Sequence, residues 1–349
     1  MSKICIIGDL HLKDSLSYSE YFSDKREKEK KEILDYIVMV SSECDKVVTL
    51  GDNFHKHDNT SKTIKEFVEF LERFTVPVVV IAGNHEKSSD GKSALDFLKE
   101  VKGKHWTIVT DVVYSTHSNE NIIFCPYFFY SELSTSNKED ASKEVLSRIF
   151  QSISLNKNKK NYLFIHHAIS DVLDYGGINT NQYNEVVIDR KDLKQFERAF
   201  GGHIHWPSEK DNIIIAGSVF ANKVGDEKKY VYILDTETNK VEKKLLPGRQ
   251  IIKIDYTTKE DLSKIDYPAI IKVHAKTDEQ VDELESLKKT LSDKDQVLII
   301  IKDAADRQTL NVSATNNILD LPLEALLELY AEKRGIPSEK LLQALSLVN

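Results

Sequence analysis

The chain has 349 residues, 40% of them hydrophobic and 30% charged, with a formal net charge of −8. That is enough chain for two domains and a sizeable core, and the negative balance excludes a protein that coats nucleic acid by bulk electrostatics, though not one with a local basic groove. Cys5, Cys44 and Cys125 form no CxxC pair, which argues against a zinc knuckle or disulfide framework; no apolar run approaches membrane-spanning length, and the opening strand lacks a signal-peptide pattern, so a soluble intracellular protein is expected.

The first element, Ile4-Cys5-Ile6-Ile7, is a short apolar strand that stops at Gly8. Asp9 and His11 follow at its C-terminal end, where ligands bind in open α/β sheets. Two residues apart in an extended segment, they can point the same way and make half of a metal site; taken alone, an ordinary turn explains them as well. SDKREKEKKEILDYIVMVSS is charged early and apolar late, which predicts a helix that docks through its second half. KVVTL is a strand ending at Gly51-Asp52. TSKTIKEFVEFLERF places Ile64, Phe67, Val68 and Leu71 on one helical face, and VPVVVIAG is a strand ending at Gly83-Asn84-His85. Three successive strand–helix units predict a layered α/β sheet.

Short strands follow in HWTIV, VVYS and NIIFCPY, then a helix in SKEVLSRIFQSI and a strand, NYLFIHH, ending in two histidines. The basic run at 156–161 reads as a solvated loop. RAFGGHIHW, NIIIAGSV and YVYILD complete a strand-rich half, so a mixed sheet sandwich with outer helices is expected. Pro247-Gly248 marks a boundary. After it come the strands RQIIKIDY and YPAIIKVHA, the helix DEQVDELESLKKTL and the strand QVLIIIK, a small α+β unit. ATNNILD reads as a linker, and LPLEALLELYAEKR and PSEKLLQALSLV as two short helices. The expected domains are 1–248, 249–312 and 313–349. Leu323, Leu326, Leu327, Leu341, Leu342 and Leu345 are more apolar surface than two short helices can leave in water, so they must pack on the core or on a partner.

Five segments carry metal-type side chains: GDLH, GDNFH, GNHE, HH and GHIH. Each has a plain explanation as a turn aspartate, core histidine or capping asparagine. All five, nearly all directly after strands, point to one site. Two divalent cations about 3.5–4 Å apart clamp a phosphate and activate a water. Mixed His, Asp and Asn donors suit manganese, iron or zinc better than magnesium, and Asp52 is the central candidate for a shared carboxylate. GKS at Gly91–Ser93 is not a phosphate-binding loop, because Glu86 stands where the loop's first glycine is required.

The order D-x-H, GD, GNH(D/E), H, GHxH, over roughly residues 4–207, resembles that of the calcineurin-like metallophosphoesterases. The resemblance implies a four-layer α/β fold, a β-sandwich flanked by helices. It implies one metal on Asp9, His11, Asp52 and His205 and a second on Asp52, Asn84, His166 and His203. His85 would stand beside the scissile phosphate, stabilising charge or protonating the leaving oxygen. His166 is taken over His167 because the family's ligand is the first residue after the strand; His167 would back the ligand or face substrate. Glu86 departs from the commoner Asp and is expected to keep the same supporting role toward His85.

Within this superfamily the chain looks most like SbcD-type nucleases, subunits of SbcC–SbcD DNA repair complexes. His55, three residues past Asp52, stands where those nucleases use a histidine on the phosphate for exonuclease chemistry. The segment after residue 248 resembles their DNA-capping domain, and the terminal helices their partner-binding helix-loop-helix. The resemblance implies a manganese-dependent DNA exonuclease and endonuclease that pairs as a homodimer and binds an SbcC-type ATPase through residues 316–349. It would work off the membrane, in the cytoplasm of a bacterial cell or phage-infected host. The rival reading keeps the chemistry and changes the substrate to a small phosphate ester or cyclic nucleotide. A silent adaptor is disfavoured by the complete ligand set.

Overall fold

A computed structural model describes residues 2–302, apart from 102–103, 117–118, 136, 152–158, 173–184, 226–227, 257–261, 263 and 294. The expected linker and terminal helix-loop-helix, and the end of the expected second domain, lie outside the described residues.

In chain order the strands are β1 (Lys3–Ile7), β2 (Lys46–Thr49), β3 (Val78–Ile81), β4 (Trp106–Val109), β5 (Val113–Thr116), β6 (Glu120–Cys125), β7 (Lys160–Ile165), β8 (Ala168–Ile169), β9 (Val187–Ile188), β10 (Arg198–Gly201), β11 (Ser208–Lys210), β12 (Ile213–Ile215), β13 (Tyr230–Asp235), β14 (Lys240–Leu245), β15 (Gln250–Asp255), β16 (Ala269–Ala275) and β17 (Gln296–Lys302). The helices that matter are α1 (Ser23–Ser41), α2 (Ser61–Glu72), α3 (Asp96–Lys99), α4 (Lys138–Gln151) and α5 (Asp278–Asp293).

Two six-stranded sheets, ordered β14-β13-β1-β2-β3-β4 and β11-β12-β10-β7-β6-β5, form the sandwich. β1 to β4 run parallel, as do β6, β7, β10 and β12, with antiparallel strands at the margins. Strands covered on both faces read as unbroken apolar runs, which is why Ile4–Ile7 and Val78–Ile81 carry no alternation. Between the sheets lie Ile4, Ile6, Val48, Ile81, Tyr162 and Ile214. Phe164 stacks between Phe124 and Phe200, with ring centroids 5.5 and 5.4 Å away. The first sheet's outer face packs on α1, α2 and α3, and the second's on α4 and the two-stranded β8–β9 ribbon. The expected four-layer sandwich is present.

α2 starts at Thr60, whose hydroxyl accepts the Thr63 N–H at 3.2 Å. Its buried face is Thr63, Phe67, Phe70 and Leu71, with Ile64 and Val68 at the flank. α1 departs from expectation. It docks along its whole length, burying Arg26, Glu29 and Lys30 as well as Ile33, Leu34 and Ile37. The charges tolerate burial because they are paired. Arg26 donates to Glu29 at 2.6 Å and to the Ala221 carbonyl at 2.9 Å, and Lys30 reaches Glu66 at 3.0 Å.

The segment after Gly248 forms a third sheet of three parallel strands, β15-β16-β17. α5 covers one face through Leu284 and Leu291, against Ile271, Val273 and Leu298. The other face, Ile251, Ile270 and Ile299, packs on Ala221, Tyr18 and Phe22. Glu29 holds this joint. It accepts from the Arg249 N–H at 3.0 Å and guanidinium at 2.7 Å, and Arg249 also reaches Asp295 at 2.6 Å. Among the described residues no helix is long and apolar enough to cross a membrane.

Glu29→Ala leaves two buried guanidiniums without their shared carboxylate. The expected loss is about 3–5 kcal/mol, read from the midpoint of urea unfolding. A loss under about 1 kcal/mol would mean that Arg26 and Arg249 find water instead.

Candidate metal centre

The parallel strands of both sheets end at the same edge of the sandwich, and the motif residues lie in the turns just past those ends. Asp9 and His11 follow β1, Asp52 follows β2, and Asn84 and His85 follow β3. His166 follows β7, and His203 and His205 follow β10. The turns are tight. His11, Asp52 and His203 have φ of 46°, 46° and 76°, a left-handed conformation uncommon for residues with side chains. They are held there by hydrogen bonds between the turns: His11 N–H donates to the Asp52 carbonyl at 2.8 Å, and His203 N–H to the Asp9 side chain at Oδ1, 3.1 Å away.

Two glycines make room. Gly51 has φ 106°, and a Cβ there would overlap His166 Nδ1. A Cβ on Gly83 would overlap Asp52. Glycine precedes the aspartate and asparagine in GDNFH and GNHE because the facing sheet's imidazole and the neighbouring carboxylate occupy the space of a side chain.

All seven residues expected as metal ligands converge. His11 Nε2 lies 2.8 Å from His205 Nε2, 3.6 Å from Asp52 Oδ2 and 3.9 Å from Asp9 Oδ2. On the other side of Asp52, His166 Nε2 is 3.3 Å from Asp52 Oδ1 and 3.2 Å from Asn84 Oδ1, and His203 Nδ1 is 2.9 Å from Asn84 Oδ1. The donor atoms of Asp9, His11 and His205 lie within 4.8 Å of one another, as do those of Asp52, His166 and His203. Asp52 stands between the two groups.

The protonation pattern bears on what this cluster can hold. His166 Nδ1 donates to the Leu50 carbonyl at 2.6 Å, so its Nε2 carries a lone pair. That lone pair faces a carboxylate oxygen and an amide oxygen, all acceptors. Among the described residues, Asp9 Oδ2 and His11 Nδ1 are buried with no hydrogen-bond partner. Asp9, His11, Asp52 and His166 are each at most 2% exposed. Burial opposes ionisation at both aspartates. At Asp9 burial, reinforced by the Asp52 charge, pushes the carboxyl well above the usual carboxylate range. Converging acceptors short of positive charge fit divalent cations, and nitrogen-plus-oxygen donors fit transition metals.

His55 and His85 stand at the rim above His11. The His11, His55 and His85 donor atoms also lie within 4.8 Å of one another. His85 Nδ1 donates to the His55 carbonyl, which turns Nε2 toward Asp52 Oδ2, 3.9 Å away. The His55 ring is exposed, with its centroid 5.7 Å from both the His11 and His85 rings.

Two expectations change. Glu86 does not support the His85 ring. Its buried carboxylate accepts from Phe54 N–H at 2.6 Å and Gly83 N–H at 2.8 Å, tying the second and third turns together. The longer side chain lets it reach these inward donors, and the His55 carbonyl orients His85 instead. His167 does not face substrate. It is fully buried, stacks on Tyr127 with centroids 4.9 Å apart and accepts from Phe128 N–H at 3.2 Å. Burial, with His166 and His203 nearby, pushes it down to about 3. One neighbour had no motif to mark it: Glu185 Oε2 lies 3.1 Å from His203 Nε2.

Gly51→Ala should displace His166 and weaken manganese binding by at least about tenfold, measured by calorimetric titration. Gly225→Ala is the control. It also has positive φ, 89°, but a Cβ there meets nothing within 4 Å among the described residues, so its binding should be unchanged. Equal effects would assign the loss to backbone strain.

Residues 2–207 match the family model described as calcineurin-like phosphoesterase. A curated protein from Archaeoglobus fulgidus, described as DNA double-strand break repair protein Mre11, is 28% identical over 247 residues, covering 67% of this chain and 53% of its own length. The chain thus spans about half the length of that relative. A solved archaeal phosphodiesterase is 14% identical with a TM-score of 0.32, the match covering 70% of this chain and 99% of that one. Every ligand-type residue from Asp9 to His205 falls inside the family match, which takes in more than half of the chain; the chain belongs to the calcineurin-like phosphoesterases.

Proposed function

We propose that the chain is a manganese-dependent DNA nuclease subunit with exonuclease and endonuclease activity, working with an SbcC-like ATPase in DNA end processing, recombination and repair. The observation that carries it is the pair of donor clusters sharing Asp52, with two further histidines over the rim. The similarity to the archaeal Mre11 protein favours DNA as the substrate. Asp9, His11, Asp52 and His205 would hold one ion, and Asp52, Asn84, His166 and His203 the other. Bound there, two divalent ions would neutralise phosphate charge and bring a water's pKa toward neutrality.

The chain's own groups do the rest. His85, fixed through Nδ1 by the His55 carbonyl, presents Nε2 to the site. There, as an imidazolium that carries a proton on Nε2 as well, it donates to a phosphate oxygen or protonates the leaving oxygen and is left as the neutral Nδ1–H ring. His55, exposed at the rim, contacts the phosphate of an incoming strand. Residues 249–312 serve as the DNA-capping domain, and the leucines of residues 316–349 dock on the ATPase. The protein works as a homodimer.

The test is digestion of end-labelled linear duplex and of circular single-stranded DNA with manganese. Shortened duplex and nicked circles are expected. Hydrolysis of a cyclic nucleotide or phosphate monoester, with DNA left intact, would overturn the reading in favour of a small-molecule enzyme. His85→Gln should lower DNA cleavage by about 10²–10⁴-fold while metal analysis finds the wild-type manganese content; loss of an ion would make His85 a ligand. His55→Ser should slow duplex-end digestion far more than circle nicking, and equal loss of both would give His55 a general role at the site.

A further inference from the structure

Glu185 lies outside every motif and reaches the centre through the small ribbon. β8 begins two residues after His166 and pairs in parallel with β9, Ala168 opposite Val187. Glu185 precedes Val187 by the same two residues, so the register carries it alongside His166. Its backbone is pinned there, because Tyr130 Oη donates to the Glu185 carbonyl at 3.0 Å. The next turn is closed by Ser170 N–H donating to the Ile188 carbonyl at 3.0 Å.

The His203 ring is gripped on three sides. Glu185 Oε2 is 3.1 Å from Nε2, Asn84 Oδ1 is 2.9 Å from Nδ1, and the Tyr127 ring stacks on it with centroids 5.8 Å apart and planes 27° apart. A neutral imidazole has one N–H and one lone pair. A carboxylate only accepts, so the proton belongs on Nε2 and the lone pair on Nδ1. That lone pair then faces the Asn84 oxygen, beside the His166 lone pair and Asp52. Three acceptors and a carboxylate around one point repel unless a cation lies among them.

We propose that Glu185 is a positioning residue. It holds His203 in the Nε2–H tautomer and in the rotamer that presents Nδ1 to the cation shared by Asp52, Asn84 and His166. The proposal rests on the two-ion reading above. A carboxylate on the outer nitrogen also makes the imidazole a better donor to metal. The donor atoms of the other cluster, Asp9, His11 and His205, gather about His11 Nε2 and not about His203, so the two ions should respond differently.

The experiment is calorimetric titration of manganese into the metal-free wild type, Glu185→Ala and Glu185→Gln. The wild type should show two sites. In Glu185→Ala one site should weaken by about 10–100-fold while the other stays within about twofold. Glu185→Gln, whose amide oxygen still accepts from Nε2–H, should lose markedly less than Glu185→Ala. Wild-type binding in Glu185→Ala overturns the proposal, and so does parallel weakening of both sites. Equal loss in Glu185→Gln and Glu185→Ala also overturns it, since that would make the carboxylate itself a ligand. A wild type that takes up fewer than two ions sinks the two-ion reading instead, independently of how the variants compare.

Discussion

Asp52 is the constraint on which the rest of the structure turns. It is a buried carboxylate at the edge where two sheets meet, with imidazoles from opposite sheets on its two oxygens. Taking such a group out of water is costly unless charge or hydrogen bonds compensate. The His85 backbone N–H donates to Oδ1 at 2.9 Å, and the Asp52 carbonyl accepts from His11. The sheet order, the missing side chains at Gly51 and Gly83 and the left-handed turns all keep that one oxygen pair in place. Donor groups from both sheets meet at this carboxylate because the sandwich ends parallel strands of both sheets at the same edge.

Much of this was readable from the residues alone. An apolar run of four or five followed by Gly-Asp or Gly-Asn announces both a strand and what lies past its end, and each motif residue is where that pattern puts it. The pairing of β1 with β13, more than 220 residues later in sequence, has no local signal. The buried start of α1 was illegible for a similar reason. Arg26 and Glu29 look like surface charges until their partners, Ala221 and Arg249, are brought in from 195 and 220 residues away. Periodicity reports which faces are apolar and says nothing about charges that pair inside.

The supporting residues were hardest to read. Glu86 sits next to His85 in sequence, which suggests contact, yet a buried carboxylate goes to the nearest free N–H groups, and those belong to Phe54 and Gly83. His167 adjoins a ligand-type residue but points the opposite way along the strand, as neighbours in an extended segment do. Glu185 carries no pattern because its place depends on the register of a two-residue ribbon. Residues aimed at one point by strand ends can be seen in a sequence, whereas residues that orient them through a ring's far side cannot.

The Glu29 joint has a consequence for how the third sheet behaves in different surroundings. Exposed pairs on the same helix, such as Lys28 with Glu32, weaken as ions crowd around them. Glu29, Arg26 and Arg249 are shielded from that solvent, and their attraction is little screened. The attitude of the added sheet toward the catalytic edge is therefore set independently of ionic strength. A rise in salt that loosens the exposed pairs would leave the buried joint, and the seat of the third sheet on the sandwich, as they are.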